Sequence, residues 1–260
     1  MKMPLSKSLY IRGLQCEKSL WLKKKKPEVL QAPDDSAQAV FDTGTSVGEL
    51  ACELFSSGER IEFSGDFDAQ IAKIKELIKR GTRVIYEATF CFDGVLVMVD
   101  ILRIGVDGII INEVKSSTAL KDVYIDDAAI QYYVLSSLGY EVSRVNIIHI
   151  DSTYTRDETL ELEKLFCVQD ITEQVKQKQR DIPKILNKFD EILSQNNEPS
   201  IDIGPHCTSP YPCDAREYCW HKQRAIPEYS IFDISRLRSD KKFELYGSGV
   251  IKFNNIKRSK

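Results

Sequence analysis

No run of about eighteen consecutive apolar residues occurs in this chain, so a membrane-spanning helix is not expected. The lysines near the N-terminus are followed by no apolar core, so a secretory signal is not expected either, and the cytoplasm is the expected compartment. Internal repeats and low-complexity tracts are absent. A basic surplus is missing too: the formal net charge is −3. That weighs mildly against a nucleic-acid binder, which usually shows a basic surface. It does not exclude one, because basic residues can gather on one face, as in the run Lys23–Lys26 and the tail Lys257, Arg258 and Lys260. With 42% hydrophobic and 29% charged residues in 260, the chain reads as globular, one large domain or a domain with an appendage. Seven cysteines in a reducing compartment point to metal or cluster ligands more than to disulfides.

The pattern of apolar residues gives the organisation. Residues 5–24 read as two short helices, with Ser6 as an N-cap and Gly13 between them. Helical spacing returns over 36–56 and over 67–80, the latter ended by Gly81. The period then changes to that of strands. Residues 83–92 and 95–104 flank Asp93-Gly94, a strong hairpin turn, and 109–116 completes a three-stranded meander. A helix over 123–138 and a fourth strand over 143–150 follow. Residues 157–165 and 171–195 read as helical, the longer one kinked at Pro183. The expected fold class is α/β with a mixed, α+β-like sheet. The expected divisions are an N-terminal helical segment at 1–30, a core with a helical extension at 31–198, a cysteine segment at 199–225, and an arm or start of a further domain at 226–260.

Asp100 falls in one strand, and Glu113 and Lys115 fall two apart in the next. Residues i and i+2 of a strand share a face, so Glu113 and Lys115 point together, Val114 points to the opposite face, and Asp100 on the antiparallel neighbour can reach the same spot. Three charges in otherwise apolar strands are costly to bury without a purpose, and a hard divalent cation supplies one. A Lys–Glu pair on a solvated sheet face is the usual reading of a lone E-x-K; the upstream Asp and the helix–strands–helix–strand frame argue for the site. Glu87, in the first strand, is a further acidic candidate, its alternative being an outward strand residue.

Cys207, Cys213 and Cys219 are separated by five residues each, in a segment that Pro205, Pro210 and Pro212 keep irregular; Cys16 stands far upstream. Zn²⁺ commonly takes Cys₄ or Cys₃His sets, and His206 and His221 flank the cluster, but the short spacing of zinc fingers is absent. Cys52, Cys91 and Cys167 fit helix or strand patterns as buried structural thiols, and His149 fits a sheet residue.

Asp100, Glu113-Val114-Lys115 and then Gln131 in DDAAIQYYVL resemble the RecB-type branch of the PD-(D/E)XK nucleases, including its CRISPR-associated exonuclease relatives. The opening LSKSLYIRGLQCEKSLWL and the later GPHCTSPYPCDAREYCW extend the resemblance, over roughly residues 5–235, to a bacterial family of uncharacterised RecB-like nuclease domains. Members are often longer, so the chain reads as a short member or a piece of one. The resemblance implies a restriction-endonuclease-like core and phosphodiester hydrolysis in DNA, from an end or on a single strand. It implies that Asp100 and Glu113 hold Mg²⁺ or Mn²⁺, that Lys115 serves catalysis and that Gln131 stands beside the site. The branch often has Tyr one turn after the Gln; here that residue is Leu135, with Tyr132 and Tyr133 nearby as substitutes. Gly48 falls where the relatives tend to have His, leaving the adjacent Glu49 as the third acidic group. The resemblance also implies that Cys16, Cys207, Cys213 and Cys219 hold a [4Fe–4S] cluster joining the two ends of the core, with zinc as the competing occupant. The departures at Gly48 and Leu135 favour the alternative, a catalytically silent DNA-binding or assembly module on the same fold.

Overall fold

In the computed structural model, residues 5–253 are described. The basic tail residues Lys257, Arg258 and Lys260 lie outside them. A two-residue strand, β1 (Leu5–Ser6), leads into helices α1 (Lys7–Gln15) and α2 (Glu17–Lys25). Next come α3 (Asp35–Cys52), β2 (Glu59–Arg60), α4 (Phe67–Arg80), β3 (Val84–Phe92), β4 (Val95–Gly105) and β5 (Gly108–Lys115). The chain continues through α5 (Asp122–Ser137), β6 (Val142–Ile150), α6 (Leu162–Leu165), β7 (Phe166–Asp170), α7 (Thr172–Lys178), α8 (Ile182–Ser194) and α9 (Ser239–Gly247). It groups into two compact units. The first holds the residues up to Ile11 and Asp34–Asn187, and the second holds Arg12–Pro33 and the chain from Lys188. Among the described residues, no helix is long and apolar enough to cross a membrane.

The first unit is a mixed α/β fold around a seven-stranded sheet ordered β2-β3-β4-β5-β6-β7, with β1 also paired to β4. The meander forms as the alternation predicts: β3, β4 and β5 are antiparallel neighbours. Asp93 and Gly94 both take the positive φ that a tight hairpin turn needs (47° and 75°). Helix α5 then carries the chain over to β6, which returns parallel to β5. The end of α5 is fixed by two bonds, Gly139 N–H to Ser136 O and Tyr140 N–H to Leu135 O, the paired closure of a helix that stops at a left-handed glycine. On one sheet face Val47, Leu50 and Ala51 of α3, with Leu54 just after it, pack against Tyr86, Ile101, Val114 and Ile148. Each such side chain, when fully buried, contributes about 1.5–3 kcal/mol of hydrophobic stabilisation.

β4 has three partners on two edges. β3 runs along one edge from Val95 to Arg103. The other edge must therefore be shared: β1 takes Val95 and Leu96, and β5 takes Ile101 to Gly105. Between those two pairings β4 has no ladder partner on that edge, and Asp100 stands in the gap.

The second unit is built on α2, the end of α8 and the irregular segment after it. Trp21 and Leu22 pack with Ile192 and Ala215. A second cluster joins Ile203, Cys207, Trp220 and Ile226 to Phe232, Phe243 and Tyr246, with the Trp220 and Phe232 rings 4.5 Å apart.

Several local expectations are corrected. The break between the first two helices falls at Cys16, which is extended (φ −161°), and not at Gly13. Gly13 lies inside α1 because the Phe189 ring occupies the place of a side chain: a Cβ there would meet its tip at 2.5 Å. The segment 157–165 is helical only from Leu162 to Leu165, and its chain turns into an unpredicted edge strand, β7. The long helix at 171–195 is not kinked but divided, with Pro183 in the first turn of α8, where its missing N–H costs no helical bond. Cys167 is exposed on β7 and not buried; Cys52 and Cys91 are partly buried, and His149 is buried in β6.

Candidate functional site

The β4–β5 ladder runs from Gly105/Gly108 to Ile101/Asn112 and stops. Continued by one pair, it would have joined Asp100 to Glu113. Instead the Asp100 carboxylate takes the bond a backbone carbonyl would have taken, its Oδ2 accepting from Val114 N–H at 2.7 Å. Beyond that point β5 is held by β6, through Glu113/Ile147 and Lys115/His149. The strands diverge with Asp100 and Glu113 at the fork, and Val114 faces the α3 side as its alternation requires.

Helix α5 covers the fork. Asp127 and Gln131 lie four residues apart and so share one helical face. Gln131, fully buried, donates from Nε2 to Glu113 Oε2 at 2.7 Å and to the Asp127 carbonyl at 3.2 Å. The bond to a carboxylate fixes which way the amide faces. Its Oε1 has no partner among the described residues. Glu113 is only 2% exposed. Its Oε1 accepts from two ammonium groups, Lys115 Nζ and Lys7 Nζ, each at 2.7 Å. Lys115 also pairs with Asp127 Oδ2, and Lys7 lies 3.6 Å from Asp127 Oδ1. The Tyr124 ring stands 5.3 Å from the Lys115 ammonium.

The charges explain the shifted acidities. Burial, then the neighbouring Glu113 charge, pushes the Asp100 carboxyl up to about 7, against the pull of Lys7, Lys115 and the Val114 N–H. Burial alone would raise Glu113 as well; the ammonium groups of Lys115 and Lys7 outweigh it and hold the carboxyl well below the usual range. Burial and the Glu113 charge raise Asp127. Both lysines stay charged: burial would lower them, but the surrounding carboxylates hold them well above their ordinary value. Three carboxylates thus face two ammonium groups in a site largely closed to water.

Of the residues singled out from sequence, Asp100, Glu113, Lys115 and Gln131 come together. Glu87 stands at the rim. The pairs Tyr86/Ile101 and Ala88/Val99 put it opposite Asp100, and its φ of 56° is a left-handed strain inside a strand, of order 1–3 kcal/mol. Burial raises its carboxyl against the pull of Arg60 and Lys7. Glu49 is exposed on α3 and joins none of these contacts. Tyr133 packs edge-on to Phe92, 6.2 Å between centroids; Tyr132 is half-buried, and neither shares the bonds at Glu113. Leu135 is in the core.

Lys7 and Asp127 were not read from the sequence. A signal existed for each. A lysine as the first residue of a helix opposes the helix dipole, and an aspartate amid DDAAIQ sits one turn from Gln131 in a helix interior that disfavours it.

In the second unit Cys16, Cys207, Cys213 and Cys219 line one pocket, together with Lys18, Ser19, His206 and Arg216. All four thiols are free. Burial first raises Cys16, Cys213 and Cys219; neighbouring thiols add to Cys16 and Cys219, and Asp214 and then Cys207 add to Cys213, while Cys219 reaches about 11 although Lys18 pulls it down. Cys219 lies in a π-helical turn, Glu217–Gln223, an irregularity frequent at functional sites. The pocket wall is tied by Arg12, bidentate to Asp214 at 2.7 and 2.8 Å, and by Gln15 Nε2 donating to the His206 and Tyr211 carbonyls at 2.7 Å. His206 lines the pocket, whereas the His221 ring bonds the Ile226 carbonyl at 2.7 Å. Among the described residues, no three His, Cys, Asp or Glu side chains stand in a ready-made metal-holding arrangement.

No family model matches the chain, and no curated protein matches it. Among solved structures it is similar to the crystal structure of SSO0001, with a TM-score of 0.38 and 10% identity over 77% of this chain and 80% of that one. A likeness of that size carries no functional argument.

Proposed function

We propose that this chain is a metal-dependent DNA nuclease of the RecB-like PD-(D/E)XK type. The observation that carries the reading is the convergence of Asp100, Glu113, Lys115 and Gln131 at a fork in the sheet. Two buried carboxylates with hard oxygen donors suit Mg²⁺ or Mn²⁺. The raised Asp100 carboxyl marks charge that a cation relieves, and the unpartnered Gln131 Oε1 is an acceptor that a hydration water satisfies. Asp100 and Glu113 would hold the ion, which when bound supplies a water of lowered pKa and polarises a phosphoryl oxygen. Gln131 fixes Glu113 through Oε2. Asp127 and Glu113 hold the Lys115 ammonium charged, so that it can orient the attacking water and balance charge developing on the phosphate. DNA, as single strands or duplex ends, is the proposed substrate.

A [4Fe–4S] cluster is the proposed occupant of the second unit, supported by four free thiols lining one pocket with Lys18 and Arg216, cations that offset thiolate charge. Zinc is the alternative, with His206 the better-placed histidine. A second reading, a silent DNA-binding module, draws on the exposed Glu49 and on Glu113, whose two oxygens are already occupied by protein donors.

The test is incubation of end-labelled single-stranded and duplex DNA with Mg²⁺ or Mn²⁺. Metal-dependent products support the nuclease, and their lengths report whether cutting starts from an end. Binding without products under both metals supports the silent module.

A further inference from the structure

We propose that Lys7 is a substrate-binding residue of the site, shifting from the Glu113 carboxylate to a phosphate oxygen of the nucleic acid when a divalent cation enters. The inference rests on the nuclease reading and adds a residue to it. Lys7 is set by the strand pairing of Leu5 with Val95 and Ser6 with Leu96, anchored by Leu5 N–H to Gly94 O at 2.8 Å. The chain turns into α1 at once, Ser6 Oγ accepting from Leu9 N–H at 3.3 Å. Its backbone is therefore fixed beside the gap in β4, while four rotatable bonds let the ammonium reach a second acceptor once Glu113 is taken.

Two ammonium groups share Glu113 Oε1, and Asp127 already holds Lys115 by a separate oxygen. Lys7 has the weaker second partner, Asp127 Oδ1 at 3.6 Å. A cation drawing on Glu113 thus displaces Lys7 more readily than Lys115. Charge counting gives the same answer. With Glu87 set against Arg60 at 4.0 Å, a divalent ion added to the two ammonium groups exceeds the remaining three carboxylates by one positive charge, which a single phosphodiester balances. Without Lys7 the loaded site is neutral and has no net attraction for phosphate.

The test compares wild type, Lys7→Ala and Lys7→Arg in three measurements: Mn²⁺ binding to the protein alone, binding of a single-stranded deoxyoligonucleotide in Ca²⁺, and cleavage in Mg²⁺. Lys7→Ala should bind Mn²⁺ several-fold more tightly, because a competitor for Glu113 is gone. It should bind the oligonucleotide about tenfold or more weakly, the loss expected for one charge-assisted contact, and Lys7→Arg should recover most of that. Weaker Mn²⁺ binding by Lys7→Ala, or oligonucleotide affinity equal to wild type, overturns the role of Lys7 and leaves the nuclease reading standing. A wild type that neither binds nor cuts overturns both.

Discussion

Gln131 and Lys115 hold the Glu113 carboxylate from opposite oxygens, Nε2 to Oε2 and Nζ to Oε1, both at 2.7 Å. A buried carboxylate gripped on both sides has one orientation. Glu113→Gln removes the charge that both lysines use and leaves Asp127 alone among the α5 and β5 carboxylates to compensate them. Cleavage should fall about 10²–10³-fold, the size seen when an electrostatic group of a site is removed. Gln131→Ala should fall less, about tenfold to a hundredfold, because it orients a ligand and does not supply one. Initial rates on one labelled oligonucleotide check the order.

Beside its proposed place in the metal site, Asp100 has a structural duty, the bond from Val114 N–H. Asp100→Ala leaves that amide buried without an acceptor and should cost about 1–3 kcal/mol in urea unfolding. Asp100→Asn keeps an acceptor oxygen and should stay close to wild type in stability while losing metal-dependent cleavage. Equal stability of the two variants would contradict the assigned bond.

The pH dependence follows from the same residue. Asp100 titrates near 7, above its ordinary 3.8, so the metal-free fold keeps a proton there up to about pH 7. A divalent cation must displace that proton. Mn²⁺ affinity should therefore level off above about pH 7 and fall by up to about tenfold per unit below it. A flat profile from pH 5 to 8 would contradict the burial and carboxylate pairing at the fork.

Much of this arrangement was legible in the sequence because strands declare themselves by period. The Asp93-Gly94 turn and the alternation around it fixed the meander, and with it the shared face of Glu113 and Lys115. What was not legible depends on contacts distant in sequence. Lys7 meets Glu113 only because β1 borrows the edge of β4 that β5 leaves open. Gly13 looked like a helix break, since nothing local shows that an aromatic ring from α8 fills its side-chain position. Strand β7 is five residues with no turn signal before it, which a helical pattern at 157–165 obscured. Glu49 shares α3 with the packing residues but points away from the sheet they cover, which a motif offset of one residue is enough to cause.

Gly13→Ala is a direct probe of that close packing. A methyl 2.5 Å from the Phe189 ring forces the two apart, and overpacking of this kind costs about 1–3 kcal/mol. Thermal unfolding should show the loss, and Phe189→Leu added to Gly13→Ala should recover part of it.

The four thiols predict a colour. Protein purified without oxygen should absorb broadly near ~400 nm and contain iron. Cys213→Ser should lose both and unfold more easily. Colourless protein carrying zinc would assign the pocket to zinc instead.

If Asp100, Glu113 and Lys115 form a hydrolytic site, matched cleavage assays of wild type and Lys115→Ala reveal it. With both proteins folded by circular dichroism, end-labelled DNA and Mg²⁺ or Mn²⁺ should give products with wild type and none with Lys115→Ala. Near-wild-type cleavage by Lys115→Ala would contradict the account.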